Sequence, residues 1–268
     1  MPVHFHKYQA TGNDFVMIDN RKAKKSFSAD SIRKICDRRF GVGADGLILI
    51  EDTDEADFNM IYYNSDGSQS LCGNGCRSAV DFASSLDIIN GETTFKAFDG
   101  LHEASILPDK TVRLKMNDVK GIRKYNEDFF FDTGSPHYIR FVKNLTEINV
   151  VDSGRKIRDS DIFKPHGTNA NFVELLPDNT ISVRTFERGV EDETLSCGTG
   201  VVAAALAASF SGYRSPVNIL ARGGSLMVEF KAGQPPASLT PNGDISDTFE
   251  DIFLIGPAKM VFEGELEL

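Results

Sequence analysis

The stretch CGNGCR at residues 72–77 has a counterpart, CGTG, at residues 197–200, and each runs into a small, apolar segment typical of a helix. The two leading cysteines, Cys72 and Cys197, are 125 positions apart (197 − 72). Glycine lets the backbone turn tightly before a helix and cysteine is often buried, so one such turn carries little information. Two turns at this spacing indicate a duplication.

Other segments repeat at nearly the same offset and separate duplication from coincidence. Two TG turns each lead into a strand, and two segments of alternating polar and apolar residues each precede a cysteine turn. The pairs are ATGNDFVM (10–17) with DTGSPHYI (132–139), and ADFNMIYYN (56–64) with TISVRTFE (180–187). The repeat predicts two domains of one architecture, residues 1–120 and 121–268.

Short strands surrounding a few helices predict the α+β class. The predicted strands include Gly46–Ile50, Thr111–Met116, Asn171–Leu175 and Leu226–Lys231, and the predicted helices are Ser28–Arg39 and Cys76–Leu86. The run VVAAALAASF (201–210) is too short to cross a bilayer, which takes about 20 residues, so it predicts a core helix.

Composition excludes several function classes. With 39 acidic and 29 basic residues, the net charge of −10 argues against a nucleic-acid partner. The N-terminus has no basic segment followed by an apolar stretch, so no secretory signal is expected. Four cysteines in a chain of 268 residues do not form a disulfide framework. We therefore expect a cytoplasmic protein with no membrane partner.

The paired cysteine turns predict a specific chemistry. The start of a helix leaves amide N–H groups without intrahelical partners, and these suit a carboxylate. Its partial positive charge also favours a thiolate at Cys72 and Cys197. If the two halves face each other, one thiolate can remove a proton from a carbon and the opposite thiol can return one, which inverts a stereocentre.

Other sites are not expected from the sequence. No Walker lysine follows either cysteine turn and neither turn carries GxGxxG, so neither is interpreted as a P-loop or a dinucleotide fingerprint. Cys76 lies four residues after Cys72, but no second cysteine pair or histidine-rich partner segment completes a metal site. Cys36 and Cys76 are interpreted as core residues, and neither a metal nor a cofactor is expected.

Five motifs together resemble the diaminopimelate epimerase family. They are GNDF (12–15), CGNGCR (72–77), TNANF (168–172), ERG (187–189) and ETLSCGTG (193–200). Proline and hydroxyproline racemases share CGxG but typically carry histidine where this chain has Asn74. The resemblance implies two pseudo-symmetric domains, each a mostly antiparallel sheet wrapped around a central helix, with the active site in the cleft between them.

The resemblance also implies a function and a set of site residues. The family interconverts LL- and meso-diaminopimelate without a cofactor, in lysine and peptidoglycan precursor biosynthesis. Cys72 and Cys197 are the implied acid/base pair. The implied substrate-binding residues are Asn13, Asn64, Gly73, Asn74, Asn169, Glu187, Arg188, Gly198 and Thr199.

Two departures from the family pattern affect substrate contacts. Ser135 stands where the family often has asparagine, and Gly46 where it often has glutamine. Ser135 is kept as a candidate contact because its hydroxyl can still bind a carboxylate, whereas Gly46 is left out. His137 is a further candidate, either as a general base or as a group that supports the helix start.

Two alternatives remain open from the sequence. One is a racemase or epimerase of another amino acid, such as proline or hydroxyproline. The other is an amino-acid-binding protein in which Cys72 and Cys197 form a switchable disulfide. The expected partner is a small-molecule substrate, and a homodimer is expected.

Overall fold

The computed structural model describes residues 2–233, 244–245 and 248–267. The chain divides into two compact units, one of Met1–Leu114 with Gly256–Leu268 and one of Lys115–Ile255. This division differs from the linear split predicted at residue 120, because the end of the chain belongs with the first unit.

Strands dominate the structure. In chain order they are β1 (Val3–Ala10), β2 (Asn13–Asp19), β3 (Gly46–Glu51), β4 (Phe58–Asn64), β5 (Glu92–Ala97), β6 (Gly100–Ile106), β7 (Val112–Lys115), β8 (Ile122–Tyr125), β9 (Asp128–Asp132), β10 (Pro136–Phe141), β11 (Asn169–Leu176), β12 (Thr180–Glu187), β13 (Asp192–Thr194), β14 (Val217–Ala221), β15 (Gly224–Ala232), β16 (Asp244–Ile245), β17 (Phe249–Gly256) and β18 (Lys259–Leu266). The helices are α1 (Ala29–Cys36), α2 (Gly73–Ser85), α3 (Val150–Arg158) and α4 (Gly198–Ser209), with a 3₁₀ turn at Leu145–Glu147.

In the first unit the sheet surrounds α2. The strand pairs alternate in direction: β1–β2 antiparallel, β2–β3 parallel, β3–β4 antiparallel, β4–β5 parallel and β5–β6 antiparallel. The last strand, β18, pairs antiparallel with β1. Helix α2 contacts strands β1 to β4, β6 and β18, while α1 packs on the other face of the sheet against a cluster that includes Phe5 and Ile18.

The second unit repeats this plan around α4. Its pairs follow the same alternation: β9–β10 antiparallel, β10–β11 parallel, β11–β12 antiparallel, β12–β14 parallel and β14–β15 antiparallel. Helix α4 contacts β9 to β12, β14 and β15, and α3 packs outside against a cluster that includes Tyr138, Phe172 and Phe186. The predicted α+β class, with two similarly built halves around central helices, is confirmed.

Most predicted elements agree with the structure. The segment 180–187 is strand β12, and the alanine-rich run lies in α4, where Val201–Ala208 are all buried. One predicted helix, Ser28–Arg39, is too long, because α1 ends at Cys36. The Asp37 carboxylate accepts hydrogen bonds from the amides of Arg39 and Phe40 and so turns the chain out of the helix. No helix in the described part of the chain is long and apolar enough to span a membrane.

Candidate active site

Cys72 caps helix α2. Its backbone is extended (φ −135°, ψ 110°), and its sulfur accepts a hydrogen bond from the Gly75 amide at 3.5 Å. Serine, threonine, aspartate or asparagine usually takes this role with an oxygen. The Cys72 sulfur therefore lies at the positive end of the helix dipole, where negative charge is favoured.

Asn13 connects this sulfur to its surroundings. The Asn13 carbonyl oxygen accepts from the Cys72 thiol at 3.4 Å and from the Asn74 side-chain amide at 3.2 Å. The Asn13 amide donates to the Asp45 carboxylate at 2.6 Å. These three predicted site residues, Asn13, Cys72 and Asn74, are thus brought together in the first unit, with Asp45 as a fourth member that sequence reasoning missed.

A buried arginine lies behind the Cys72 turn. The Arg77 side chain is fully buried and donates to the Asn74 carbonyl oxygen at 2.9 Å and the Thr11 hydroxyl at 3.3 Å. Burial lowers the pKa of Arg77 to about 10, and the nearby Cys72, when ionised, acts in the opposite direction. Arg77 therefore stays charged at neutral pH and favours negative charge on the sulfur.

Charged groups also fix the turn that holds Asn13. Burial alone would raise the pKa of the Asp14 carboxyl, but hydrogen bonds from Arg38 and Lys7 outweigh it and lower the pKa to about 2. Arg38 also binds Asp45 at 2.8 Å. The backbone around Asn13 is therefore held by ion pairs that persist across the neutral range.

Asn64 shapes the loop that leads into Cys72. Its side-chain amide donates to the hydroxyls of Ser68 and Ser70 at 3.0 and 3.1 Å. Gly46 lies opposite Asn64 in the β3–β4 register. A Cβ at position 46 would lie 2.4 Å from the Tyr62 ring, so the ring occupies the space that a longer residue would need.

In the second unit, Cys197 begins helix α4. Its backbone is again extended (φ −116°, ψ 113°), and its buried sulfur lies 3.6 Å from the Thr199 hydroxyl. Within the described part of the chain, the Cys197 side chain makes no capping hydrogen bond to the helix, whereas the Cys72 side chain does. Gly200 allows a close approach here, because a Cβ would lie 2.5 Å from the Asn171 carbonyl oxygen.

His137 is linked to Cys197 through Thr199. The His137 Nε2 atom lies 2.8 Å from the Thr199 hydroxyl, and Nδ1 lies 3.1 Å from the Asn171 amide nitrogen. That amide can only donate, so Nδ1 accepts and a neutral imidazole carries its proton on Nε2. Nε2 then donates its proton to the Thr199 hydroxyl oxygen. The hydroxyl hydrogen of Thr199 is therefore free to be donated to the Cys197 sulfur.

Two further hydrogen bonds fix Asn171, which begins this series of hydrogen bonds. The Asn171 carbonyl oxygen accepts from the Thr185 hydroxyl at 2.8 Å, and its amide also donates to the Tyr138 carbonyl at 3.1 Å. Full burial, followed by the positive charge of Arg188, lowers the pKa of His137 to about 3. His137 is therefore neutral at physiological pH and keeps the hydrogen-bond direction described above.

A second group in this unit gathers predicted polar residues. The Asn169 amide donates to the Ser135 hydroxyl at 2.9 Å, and the Asn169 carbonyl oxygen accepts from the Arg188 backbone amide at 2.8 Å. The Arg188 guanidinium donates to the His166 carbonyl at 3.1 Å. Glu187 is the half-buried last residue of β12, directly before Arg188.

The sequence prediction missed several residues that form hydrogen bonds beside the two cysteine turns. Arg77 and Asn171 lie inside the quoted motifs CGNGCR and TNANF, so their positions were visible although no role was assigned to them. Cys36 and Cys76 are buried as predicted, and burial raises the pKa of both thiols, that of Cys36 to about 11.

Comparisons with known proteins cover almost the whole chain. The family model "Diaminopimelate epimerase" matches residues 5–122 and 129–242. Proteins named diaminopimelate epimerase from Flavobacterium psychrophilum and Chlorobaculum tepidum are 47% and 40% identical, each match covering 96% of this chain and 98% of the relative. A third, from Aquifex aeolicus, is 38% identical over 98% of both chains.

Solved structures share the fold at low identity. A phenazine biosynthesis protein of the PhzF family from Bacillus anthracis is 13% identical with a TM-score of 0.72, and the match covers 100% of both chains. A probable proline racemase from Agrobacterium radiobacter is 13% identical with a TM-score of 0.65, covering 99% of this chain and 93% of that one. At this identity the likeness concerns the fold alone.

Proposed function

The chain belongs to the diaminopimelate epimerase family, and from that premise we propose that it interconverts LL- and meso-diaminopimelate with two cysteines as acid and base. The family resemblance inferred from the motifs is confirmed by the matches to the family model and to named relatives. The observation that carries the mechanism is the repeated turn, in which Cys72 and Cys197 each begin the buried central helix of their own unit.

The reaction requires a base on one face of the α-carbon and an acid on the other. One thiolate takes the α-hydrogen, so the C–H bond breaks and an S–H bond forms. The electron pair left on carbon is delocalised into the α-carboxylate. The opposite thiol then gives its proton to the other face, and the configuration is inverted without any cofactor. The reverse reaction exchanges the roles of Cys72 and Cys197.

The developing charge on the carboxylate needs stabilisation, since the α-proton is very weakly acidic. The first-turn amides of Gly73 and Asn74 in α2, and of Gly198 and Thr199 in α4, belong to the positions that lack an acceptor within their helix. Oriented amides of this kind stabilise an oxyanion most strongly in an enclosed site. We assign the reacting carboxylate to these two helix starts.

The distal amino-acid group of the substrate requires its own partners. Arg188 is assigned to the distal carboxylate, because a guanidinium binds a carboxylate through two parallel hydrogen bonds. Asn64, Asn169 and Glu187 are assigned to the remaining polar groups, and Ser135, bonded to Asn169, adds a hydroxyl beside them. Asn13 is assigned to the end of the substrate near Cys72, because its side chain accepts a hydrogen bond from the Cys72 thiol.

His137 acts as a positioning residue in this proposal. A neutral imidazole with a pKa of about 3 has no acidic proton to give at neutral pH, so it does not replace a thiol. Its hydrogen bond orients the Thr199 hydroxyl toward Cys197. The thiolate form of Cys197 is thereby stabilised.

We further propose a cytoplasmic homodimer. Met260, Val261 and Phe262 are three consecutive exposed apolar residues on β18. Among the strand registers of the described residues, β18 pairs with β1, and we assign its other edge to a second copy. Light scattering after size-exclusion chromatography tests this state. A monomer at micromolar concentration would contradict it.

Hydrogen exchange at the α-carbon tests the proposed function directly. Pure protein is incubated with LL-diaminopimelate and a thiol reductant in deuterated water, and α-deuterium and the meso isomer are followed by NMR. We expect both to appear, with no exchange into proline or hydroxyproline. Exchange into proline instead would favour the other racemase class, and binding without exchange would favour an amino-acid-binding protein.

A further inference from the structure

Two histidines and a glutamate converge where the first and last strands of the chain pair. The Nε2 atoms of His4 and His6 lie 3.5 and 3.2 Å from one and the same oxygen of Glu263. One ligand atom from each side chain fits within 4.8 Å of the other two. We propose that His4, His6 and Glu263 bind a divalent transition metal, with zinc as the best fit, and that the metal ties β1 to β18.

The spacing of the three atoms suits a tetrahedral ion. Zinc binds histidine nitrogen and carboxylate oxygen at about 2.0–2.2 Å, so neighbouring ligand atoms in a tetrahedral site are about 3.3 Å apart. The observed 3.5 and 3.2 Å agree with this value. Imidazole and carboxylate ligands together also suit zinc.

The pairing of the strands explains why these side chains share one face. His4 and His6 are two residues apart on β1 and therefore project to the same side. In the register, His6 lies opposite Glu263 and His4 opposite Glu265. Directly opposed residues have neighbouring side chains, which explains why the Glu263 carboxylate lies beside the two imidazoles.

The site combines a fixed group with accessible ones. The His6 side chain is 16% exposed and its ring packs on Phe82 of α2 at 4.8 Å between centroids. The side chains of His4 and Glu263 are 53% and 56% exposed, so an ion can enter from solution. A single histidine–carboxylate pair looks different: His102 lies 2.7 Å from Asp99, a normal hydrogen bond.

A metal at this position would stabilise the folded chain. His4 and Glu263 are 259 residues apart in sequence (263 − 4), so the three ligands are assembled only in the folded protein. A ligand that binds the folded but not the unfolded state raises stability in proportion to the logarithm of its concentration above Kd. The inference does not depend on the proposed catalytic function.

Zinc affinity measured by competition with a chromogenic chelator tests the proposal on tag-free protein. The variants are His4→Gln, Glu263→Gln and the matched control His102→Gln, together with a Cys72→Ser/Cys197→Ser protein that removes binding by the reactive thiols. We expect one zinc per chain and at least about tenfold weaker binding in the first two variants, since even second-shell partners contribute about 10–100-fold. Binding should be unchanged in the histidine control and retained in the cysteine variant.

Thermal unfolding provides an independent readout. Zinc should raise the midpoint of the wild type and of His102→Gln, and should raise it much less in His4→Gln and Glu263→Gln. Both of these substitutions are at exposed positions, so the proteins should fold without metal. Equal zinc affinity in the wild type, His4→Gln, Glu263→Gln and His102→Gln would overturn the proposal. Loss of zinc binding in the cysteine variant alone would also overturn it.

Discussion

The two cysteine turns have the same backbone plan but rest on groups of different charge. Behind Cys72 lies the buried Arg77 guanidinium, which holds Asn74 and, through it, Asn13. Behind Cys197 lies a neutral chain of hydrogen bonds that runs from Asn171 through His137 to Thr199. A duplicated fold can therefore keep a sulfur at a helix start while the group that supports its negative charge changes from a cation to polarised hydrogen-bond donors.

The two solutions respond differently to acid. Arg77 keeps its charge across the whole neutral and acidic range, since its pKa is about 10. The hydrogen bonds in the second unit require a neutral His137. Protonation of this buried ring would place a second positive charge near Arg188 and would convert the acceptor at Nδ1 into a donor. We therefore expect mildly acidic pH to lower the stability of the second unit more than that of the first.

Removing either sulfur should give the largest effect. Cys72→Ala and Cys197→Ala should each lower epimerisation by at least about 10²–10⁴-fold, the usual contribution of a positioned acid or base. The measurement is production of the meso isomer, with circular dichroism to show that both proteins fold. Near-normal turnover in either variant would break the proposed equivalence of the two turns.

The pH dependence of unfolding should distinguish the two units next. The pKa of His137 is about 3 in the folded protein and 6.5 as its ordinary value, so the unfolded state binds more protons between these pH values. Stability should therefore fall as the pH drops from 6.5 toward 3, by up to about 1.4 kcal/mol per pH unit from this group. His137→Gln should flatten that slope, measured by urea unfolding at several pH values.

Asp14 provides the comparison from the first unit. Its pKa of about 2 lies below the ordinary 3.8, so its contribution is present above pH 3.8 and is lost only as the pH falls toward 2. Asp14→Asn should thus leave the slope between pH 6.5 and 4 unchanged. An equal slope in the wild type and His137→Gln would contradict a neutral buried imidazole.

Arg188 tests whether recognition of the distal carboxylate depends on the second unit. Arg188→Ala should lower kcat/KM by the factor that corresponds to a lost charge-assisted pair, whose free energy is about 1.5–3 kcal/mol. Arg188→Lys should recover only part of this loss in kcat/KM. Arg140→Ala is a matched control in the same unit, because Arg140 is partly exposed like Arg188 but its guanidinium already binds the Asp128 carboxylate. If both alanine variants kept wild-type kcat/KM, Arg188 would not be a substrate contact.

The smallest effect is expected for alanine substitutions of the glycines at the third position after each cysteine. A Cβ at Gly200 would lie 2.5 Å from the hydrogen-bonded Asn171, whereas one at Gly75 would meet the flexible ends of Ile48 and Met60 at 3.2 Å. Gly200→Ala should cost about 1–3 kcal/mol of stability. Gly75→Ala should be nearly neutral, because contact strain offsets the higher helix propensity of alanine, about 1 kcal/mol. Urea midpoints measure both, and equal losses would mean that the two helix starts are equally crowded.

Local patterns were sufficient to predict much of this fold. Strand β12 was predicted at its observed bounds because polar and apolar residues alternate from Thr180 to Glu187. The two halves were recognised because their cysteine turns and strands repeat in order. The motifs also identified Asn13, Asn74 and Asn169, which the structure places in hydrogen-bonded groups.

Contacts between distant segments could not be predicted in the same way. The pairing of β18 with β1 joins the two ends of the chain, and no periodicity in either strand specifies its partner. Arg77 is a charged residue on a helix, which by residue type predicts exposure, but its bonds to Thr11 and Asn74 make burial possible. The grouping of His4 and His6 with Glu263 has the same cause.

The position of β18 has a consequence for synthesis of the protein. The second unit is continuous in sequence from Lys115 to Ile255, so all of its strands leave the ribosome before the last strand of the first unit. Domains generally begin to fold in the order of synthesis. Here the unit that starts first is completed last, and β1 keeps an unpaired edge until Lys259–Leu266 has emerged. A nascent chain truncated before β18 should therefore depend most on chaperones at its N-terminal end.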